Sequence, residues 1–143
     1  MPPAESPAYP FLRQPITNGN AHEQALIRRW WHERHQAAGC LAWEYPLGRY
    51  WADAIWFPDS PLRAEAQGKN LATRFPLRGQ RIVICEAKLR QVTPALIGQA
   101  LVHGFHARQA GADVARIVIF AEKARAEMRA AAAHLGLEVA ADE

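Results

Sequence analysis

R-I-V-I-C-E-A-K-L-R-Q-V-T-P-A-L-I-G-Q-A-L-V-H-G-F-H, from Arg81 to His106, is the stretch around which the rest of the chain is organised. Ile82, Val83, Ile84 and Cys85 form a short, β-branched, apolar run suited to a strand buried on both faces. The run ends abruptly in Glu86, Ala87 and Lys88. Side chains alternate across a sheet, so Glu86 and Lys88 are expected on one face and Ala87 on the other. A salt-bridged strand end is the ordinary reading of such a pattern, and the surrounding sequence is what argues for more. Downstream, Thr93 is an N-cap followed by Pro94 at the first helical position, which predicts a helix to about Gln109. Ile97, Leu101, Gly104, Phe105 and Arg108 form its expected packing stripe, while Gln99, His103 and His106 are expected to share a polar face.

Upstream, five prolines within residues 1–16 predict an extended arm over residues 1–18, pinned to the body by Tyr9 and Phe11. Residues 19–143 are read as one domain. After the turn at Thr17 to Asn20, a helix is expected from Ala21 to Ala38, stopped by Gly39, with Leu26, Ile27, Trp30 and Arg34 on one stripe. Glu23 lies at the head of that stripe. Its ordinary role is the third residue of a capping box with Asn20.

Leu41 to Pro46 and Arg49 to Phe57 read as strands of an antiparallel hairpin turning at Leu47 and Gly48. Alternation puts Asp53 on the face of Trp51, Ile55 and Phe57, a costly place for a carboxylate unless a cation or backbone amides compensate it. Glu44 fits an outward strand position. Residues 58–80 lack periodicity and read as a long loop in which Arg63, Lys69, Arg74, Arg78 and the adjoining Arg81 outnumber Asp59 and Glu65. That loop is a candidate surface for backbone phosphates. Val114 to Phe120 is a further strand, Glu122 to Leu135 a helix, and Leu137 to Val139 a short edge strand. The order α-β-β-β-α-β-α-(β) implies an α/β fold with a mixed sheet between helical layers.

Composition narrows the classes. A chain of 143 residues, half of them hydrophobic, forms one globular domain, and a net charge of +3 leans weakly toward an anionic partner. Cys40 and Cys85 make neither a disulfide framework nor a zinc spacing, which suits a reducing, cytoplasmic setting. No apolar run approaches a membrane span of ~18 residues. His32 and His35 are three apart, whereas a zincin helix needs its histidines four apart. No catalytic triad, phosphate loop or dinucleotide fingerprint is present, so no nucleotide cofactor is expected. The five tryptophans mostly fall on expected strands and helices and read as core.

Glu23 near a helix start, Asp53 in the second strand, Glu86-Ala87-Lys88 ending the third and Gln99 in the following helix resemble the PD-(D/E)XK nuclease superfamily. Among its members they look like the Holliday-junction-resolvase and Mrr-like proteins. The resemblance covers roughly Asn20 to Phe120, and Ala52 stands where many members have proline before the Asp. It implies a restriction-endonuclease-like three-layer core and phosphodiester hydrolysis. Glu23, Asp53, Glu86, Lys88 and Gln99 would be catalytic, and Asp53, Glu86, the Ala87 carbonyl and Glu23 would hold Mg²⁺ or Mn²⁺. Two carboxylates about 4 Å apart repel by roughly 4 kcal/mol at an effective dielectric of 20, so Asp53 and Glu86 ionise together only with a cation between them. Hard oxygen donors with open water positions suit such ions. The expected partner is DNA, with RNA left open, contacted by Arg63, Lys69, Arg74, Arg78, His103 and His106. Cutting both strands with one small domain implies a homodimer. The alternative is a catalytically silent module that keeps the nuclease fold and binds nucleic acid within a larger complex.

Overall fold

Residues 21–141, the part that the computed structural model describes, run in the order α1 (Ala21–His35), β1 (Cys40–Leu47), β2 (Tyr50–Phe57), β3 (Ala64–Ala66), α2 (Leu71–Arg74), β4 (Arg81–Ala87), α3 (Pro94–Gln109), β5 (Asp113–Ala121), α4 (Ala126–His134) and β6 (Glu138–Ala141). The arm expected over residues 1–18 and the Asn20 cap lie outside the described residues. The strands form one six-stranded sheet in the order β3-β1-β2-β4-β5-β6. β1 with β2 and β2 with β4 are antiparallel, while β1 with β3, β4 with β5 and β5 with β6 are parallel. The sheet is therefore mixed, as its element order implied.

β4 is central because its run is apolar on both sides. Ile82 and Ile84 pack with Leu96, Ile97 and Ala100 of α3, whereas Val83, Cys85 and Ala87 pack with Ile27 and Trp31 of α1. Each fully buried Ile or Val contributes roughly 1.5–3 kcal/mol, which makes the two faces of this strand the main anchor of both helical layers. The parallel pairs β4–β5 and β5–β6 need crossovers, and α3 and α4 supply them on one side of the sheet, where Ala132 and Met128 of α4 join the α3 cluster. α1 covers the other side. Thr93 caps α3 as expected, its Oγ1 accepting from the Leu96 amide at 3.1 Å. Cys40 and Cys85 are free and fully buried, and burial pushes the Cys40 thiol up to about 12. They fill core space.

Three expectations are corrected here. The long loop over residues 58–80 contains β3 and the single-turn α2. β3 is three residues of Ala-Glu-Ala with no β-branched signal, held at the edge because Glu65 receives Arg28 from α1 in a two-pronged contact at 2.8 and 3.1 Å and the Trp43 indole at 2.7 Å. α1 stops at His35 rather than Ala38, since Gln36 and Ala37 turn to positive φ. The Ala38 carbonyl then accepts both the Trp31 and Trp56 indoles, at 2.8 and 2.6 Å. Gly39 follows at φ +68, and a Cβ there would lie 2.3 Å from the Phe57 carbonyl oxygen, so no other residue lets β1 enter so close to the end of β2. The buried stripe of α1 is Gln24, Ile27 and Trp31, with Leu26 and Trp30 only half-buried beside it and Arg34 exposed.

Candidate active site

The site begins where strand alternation fails. Residues two apart on a strand normally share a face, yet Trp43 and Tyr45 belong to opposite clusters, and so do Ala54 and Ala52 across the hairpin. Between them the β1–β2 ladder skips Glu44 and Asp53, and Glu44 adopts φ 51. This corrects two expectations: Ala52 rather than Asp53 joins Ile55 and Phe57, and Glu44 is no ordinary outward residue but lines a small cavity with Glu23 and Asp53. The kink points the Asp53 carboxylate across to β4.

β2 and β4 pair only as far as Ala54 and Cys85, and beyond that point each strand's acid satisfies the other's backbone. Asp53 Oδ2 accepts from the Ala87 amide at 2.8 Å, and Glu86 Oε1 accepts from the Asp53 amide at 3.3 Å. The strands separate, and the two carboxylates replace the lost rungs. Amide bonding is the ordinary role weighed for Asp53, and it accounts for one of its oxygens. Among the described residues, its other oxygen accepts no hydrogen bond.

Glu86 is 0% exposed on the Ile82 and Ile84 side, beneath α3. A carboxylate buried there costs several kcal/mol unless it is bonded, and α3 answers with Gln99 Nε2, 3.2 Å from Oε1, and His103 Nδ1 against Oε2. His103 is therefore 3% exposed with its Nδ1 against Glu86, and it still lines a groove beside Gln99 and Val102. The packing stripe of α3 is Leu96, Ile97, Ala100, His103, Gly104 and Ala107, and Phe105, expected inside, is 55% exposed. A helix must turn His103 inward to satisfy Glu86, and Phe105 then turns out.

Glu23 reaches the same place from α1. Its Oε2 accepts from the Leu89 amide at 3.2 Å, just past the end of β4, so its described partner is a distant backbone segment. Lys88 is exposed and pairs with no acid among the described residues, and the ordinary salt bridge between Glu86 and Lys88 is not formed. Glu23, Asp53, Ala87, Lys88, Leu96 and Gln99 line one cavity of about 220 Å³. Four segments far apart in sequence thus converge. Burial first, then the Glu86 charge and more weakly Glu23, push the Asp53 carboxyl up to about 7 against the opposing Ala87 hydrogen bond.

Among the described residues no three His, Cys, Asp or Glu side chains converge as a metal-binding group. Mg²⁺, however, commonly takes one or two carboxylates and keeps several waters. Asp53, with one oxygen unengaged, and Glu86 beside it, with the Ala87 carbonyl, are hard oxygen donors of that kind, and the donor set fits.

The expected phosphate contacts are not gathered here. Arg63 bonds the Gln36 carbonyl at 2.6 Å and Arg78 packs at Gly111, both near where β4 begins rather than where it ends. Lys69 precedes α2 and Arg74 is its last residue, and the His106 ring lies tilted against Tyr50 at 5.3 Å. None of these five lines the carboxylate cavity. A larger cavity of about 350 Å³ lies between α1 and β5–β6, where Arg29, Arg34, Arg116 and Arg129 face Glu33 and Glu138. Arg116 is already in a two-pronged pair with Glu138, at 2.7 and 2.8 Å, and among the described residues the only acids lining that cavity are Glu33 and Glu138. Trp51, read with the core tryptophans, is 62% exposed. No helix among the described residues is long and apolar enough to cross a membrane.

No protein-family model and no curated protein matches this chain. Two solved structures resemble it. A repair endonuclease from Pyrococcus abyssi superposes with a TM-score of 0.55 at 15% identity, over 91% of this chain and 49% of that one. EndoMS in complex with double-stranded DNA superposes with a TM-score of 0.53 at 14% identity, over 89% of this chain and 46% of its own. This chain spans about half the length of either. With its mixed six-stranded sheet between helical layers and these nuclease-fold neighbours, the chain has a restriction-endonuclease-like core.

Proposed function

We propose that this protein is a metal-dependent nuclease that hydrolyses phosphodiester bonds, acting as a DNA endonuclease and working as a homodimer. The observation that carries the reading is the convergence of Glu23, Asp53, Glu86, Ala87, Lys88 and Gln99 at the end of β4. Fold neighbours that are endonucleases, one of them in complex with DNA, support the substrate class. Asp53, Glu86 and the Ala87 carbonyl would hold Mg²⁺ or Mn²⁺, with Glu23 alongside. Such an ion, when bound, supplies charge neutralisation at a phosphate oxygen and an acidified water.

The chain's own groups do the rest. Gln99 and His103 fix the Glu86 carboxylate so that its oxygens do not rotate away from Asp53. Asp53, pushed up to about 7 by burial and the Glu86 charge, gives up its proton near neutrality in the metal-free site, and a cation bound beside it would favour the ionised form. Lys88, exposed at the cavity and free of a described acid partner, places an ammonium where negative charge develops on a pentavalent phosphorus. Purified protein should nick or cut plasmid, linear or branched DNA with Mg²⁺ or Mn²⁺ and stop with EDTA. Identical behaviour of wild type and Glu86→Ala on duplex, single-stranded and junction DNA, and on RNA, would overturn the reading.

One observation favours a silent binding module instead. Both Glu86 oxygens are already engaged, by His103 on one side and by Gln99 and the Asp53 amide on the other. Titration with Mn²⁺ separates the two readings, since a silent module has no need to take up the ion at Asp53.

A further inference from the structure

α3 contains two glycines, and only one has a packing reason. At Gly104 a Cβ would lie 2.7 Å from Ile117 Cδ1, so any other residue there would have to displace that methyl where the helix packs on β5. At Gly98 a Cβ would meet nothing within 4 Å. Glycine within a helix costs roughly 1 kcal/mol against alanine, and none of the described residues occupies the space that Gly98 leaves open. The space is the floor of a groove of about 490 Å³ between Arg49, Tyr50 and Trp51 at the hairpin and Gly98, Gln99 and Val102 on α3.

Its walls are unusual for a surface. Trp51 is 62% exposed, Tyr50 48% and Val102 45%, although a domain of this size has core enough to take them. Tyr50 is braced from behind, its ring 5.3 Å from His106 and 6.1 Å from His103, so that it is held while part of it faces out. Arg49 adds a cation at the rim. Gln99 lines both this groove and the carboxylate cavity, so the two adjoin at that side chain. Flat aromatic rings beside a cation suit stacking of a nucleobase with its phosphate nearby, and stacking accepts any base.

We propose that the groove is a stacking subsite for an unpaired DNA base adjoining the scissile phosphate, with Trp51 and Tyr50 as its platforms. This deepens the nuclease reading and rests on it for the word scissile. A paired base within a regular duplex has no free face to offer, so the substrate class is DNA with a single-stranded tail, a bulge or a branch at the cut. Gly98 keeps the floor clear for that base.

The test needs no catalysis. Binding isotherms in EDTA compare a blunt duplex with the same duplex carrying a short 3′ or 5′ single-stranded tail, for wild type, Trp51→Ala and Gly98→Leu. Wild type should prefer one tailed duplex by roughly ten-fold, and both variants should lose that preference while holding the blunt duplex as before. Gly98→Leu guards against a folding artefact, because its side chain enters open space. An unchanged preference in both variants overturns the proposal, as does equal affinity of wild type for blunt and tailed DNA. A Trp51→Ala protein whose mass by light scattering falls from dimer to monomer, with its tail preference intact, assigns the groove to a second copy and also overturns it. Absence of cleavage with a Trp51-dependent preference removes the nuclease reading and leaves the base subsite standing.

Discussion

The two ends of β4 handle charge in opposite ways. At the Arg81 end, Arg81 and Asp59 form a two-pronged pair at 2.7 and 2.9 Å, both in solvent, and each holds the other in its charged form. At the Glu86 end, Glu23 and Asp53 line one cavity with Glu86 fully buried behind it, and a histidine, a glutamine and backbone amides are the bonding partners of the three. The first arrangement is complete in itself. The second concentrates buried acids, and burial first and the Glu86 charge second raise the Asp53 carboxyl; a protein tolerates such a cluster where a ligand completes it.

The largest expected effect is on chemistry. Lys88→Ala should reduce single-turnover cleavage by about 10³-fold or more while changing DNA affinity by less than about two-fold, because an interaction made only in the transition state leaves ground-state binding alone. Normal cleavage by this variant would remove Lys88 from the mechanism and weaken the contrast between the two ends.

Next comes the buried charge of Asp53, raised by burial first and by Glu86 second. The folded value for Asp53, about 7, lies above its unfolded value of 3.8, so between these values the folded state keeps a proton that the unfolded state has lost. The stability this group allows is full below about pH 4 and declines as pH rises through about 7. Asp53→Asn keeps an oxygen for the Ala87 amide and removes the charge, so in EDTA it should be more stable than wild type by on the order of 4 kcal/mol at about pH 8, and the gap should shrink toward about pH 4. Urea unfolding across that range measures it. A gap that stays flat with pH breaks the account of Asp53.

His103→Ala should cost about 3 kcal/mol, since it leaves Glu86 buried with an oxygen unbonded. Adding Glu86→Ala should recover part of that loss, and strictly additive losses in the double-mutant cycle would show that the two side chains do not depend on each other. The smallest effect belongs to the other end of the strand. Asp59→Ala should leave the melting temperature essentially unchanged, because solvent already screens the pair. A large drop there would mean that the two ends are not so different.

Much of this was legible in the residues. β-branched runs marked β4 and β5, Thr93 and Pro94 marked the start of α3, and the Glu23, Asp53, Glu86, Lys88 and Gln99 order pointed to one place. β3 escaped because Ala-Glu-Ala carries no strand propensity and is held by Arg28 and Trp43 from elsewhere. Glu44 escaped because strict alternation has no room for a residue at φ 51. The shared face of Gln99 and His103 is legible, but their joint hold on Glu86 is not: they lie four residues apart, so the rotation of α3 that sets Gln99 on Glu86 sets His103 there as well. The outward turn of Phe105 follows from the same rotation. Trp51 could not be placed from its strand alone, because the break at Asp53 changes which face the hairpin's end presents.

The reciprocal bonding at the end of β4 also makes the backbone a reporter. The Ala87, Asp53 and Leu89 amides are bonded by side chains 34, 33 and 66 residues away, not by the regular rungs of a ladder. Such contacts close only after distant parts of the chain have met, which places them late in folding and among the first to open. Hydrogen exchange at these three amides therefore follows the assembly of the whole site. A variant that keeps its helices and sheet but loses protection there has lost the site alone.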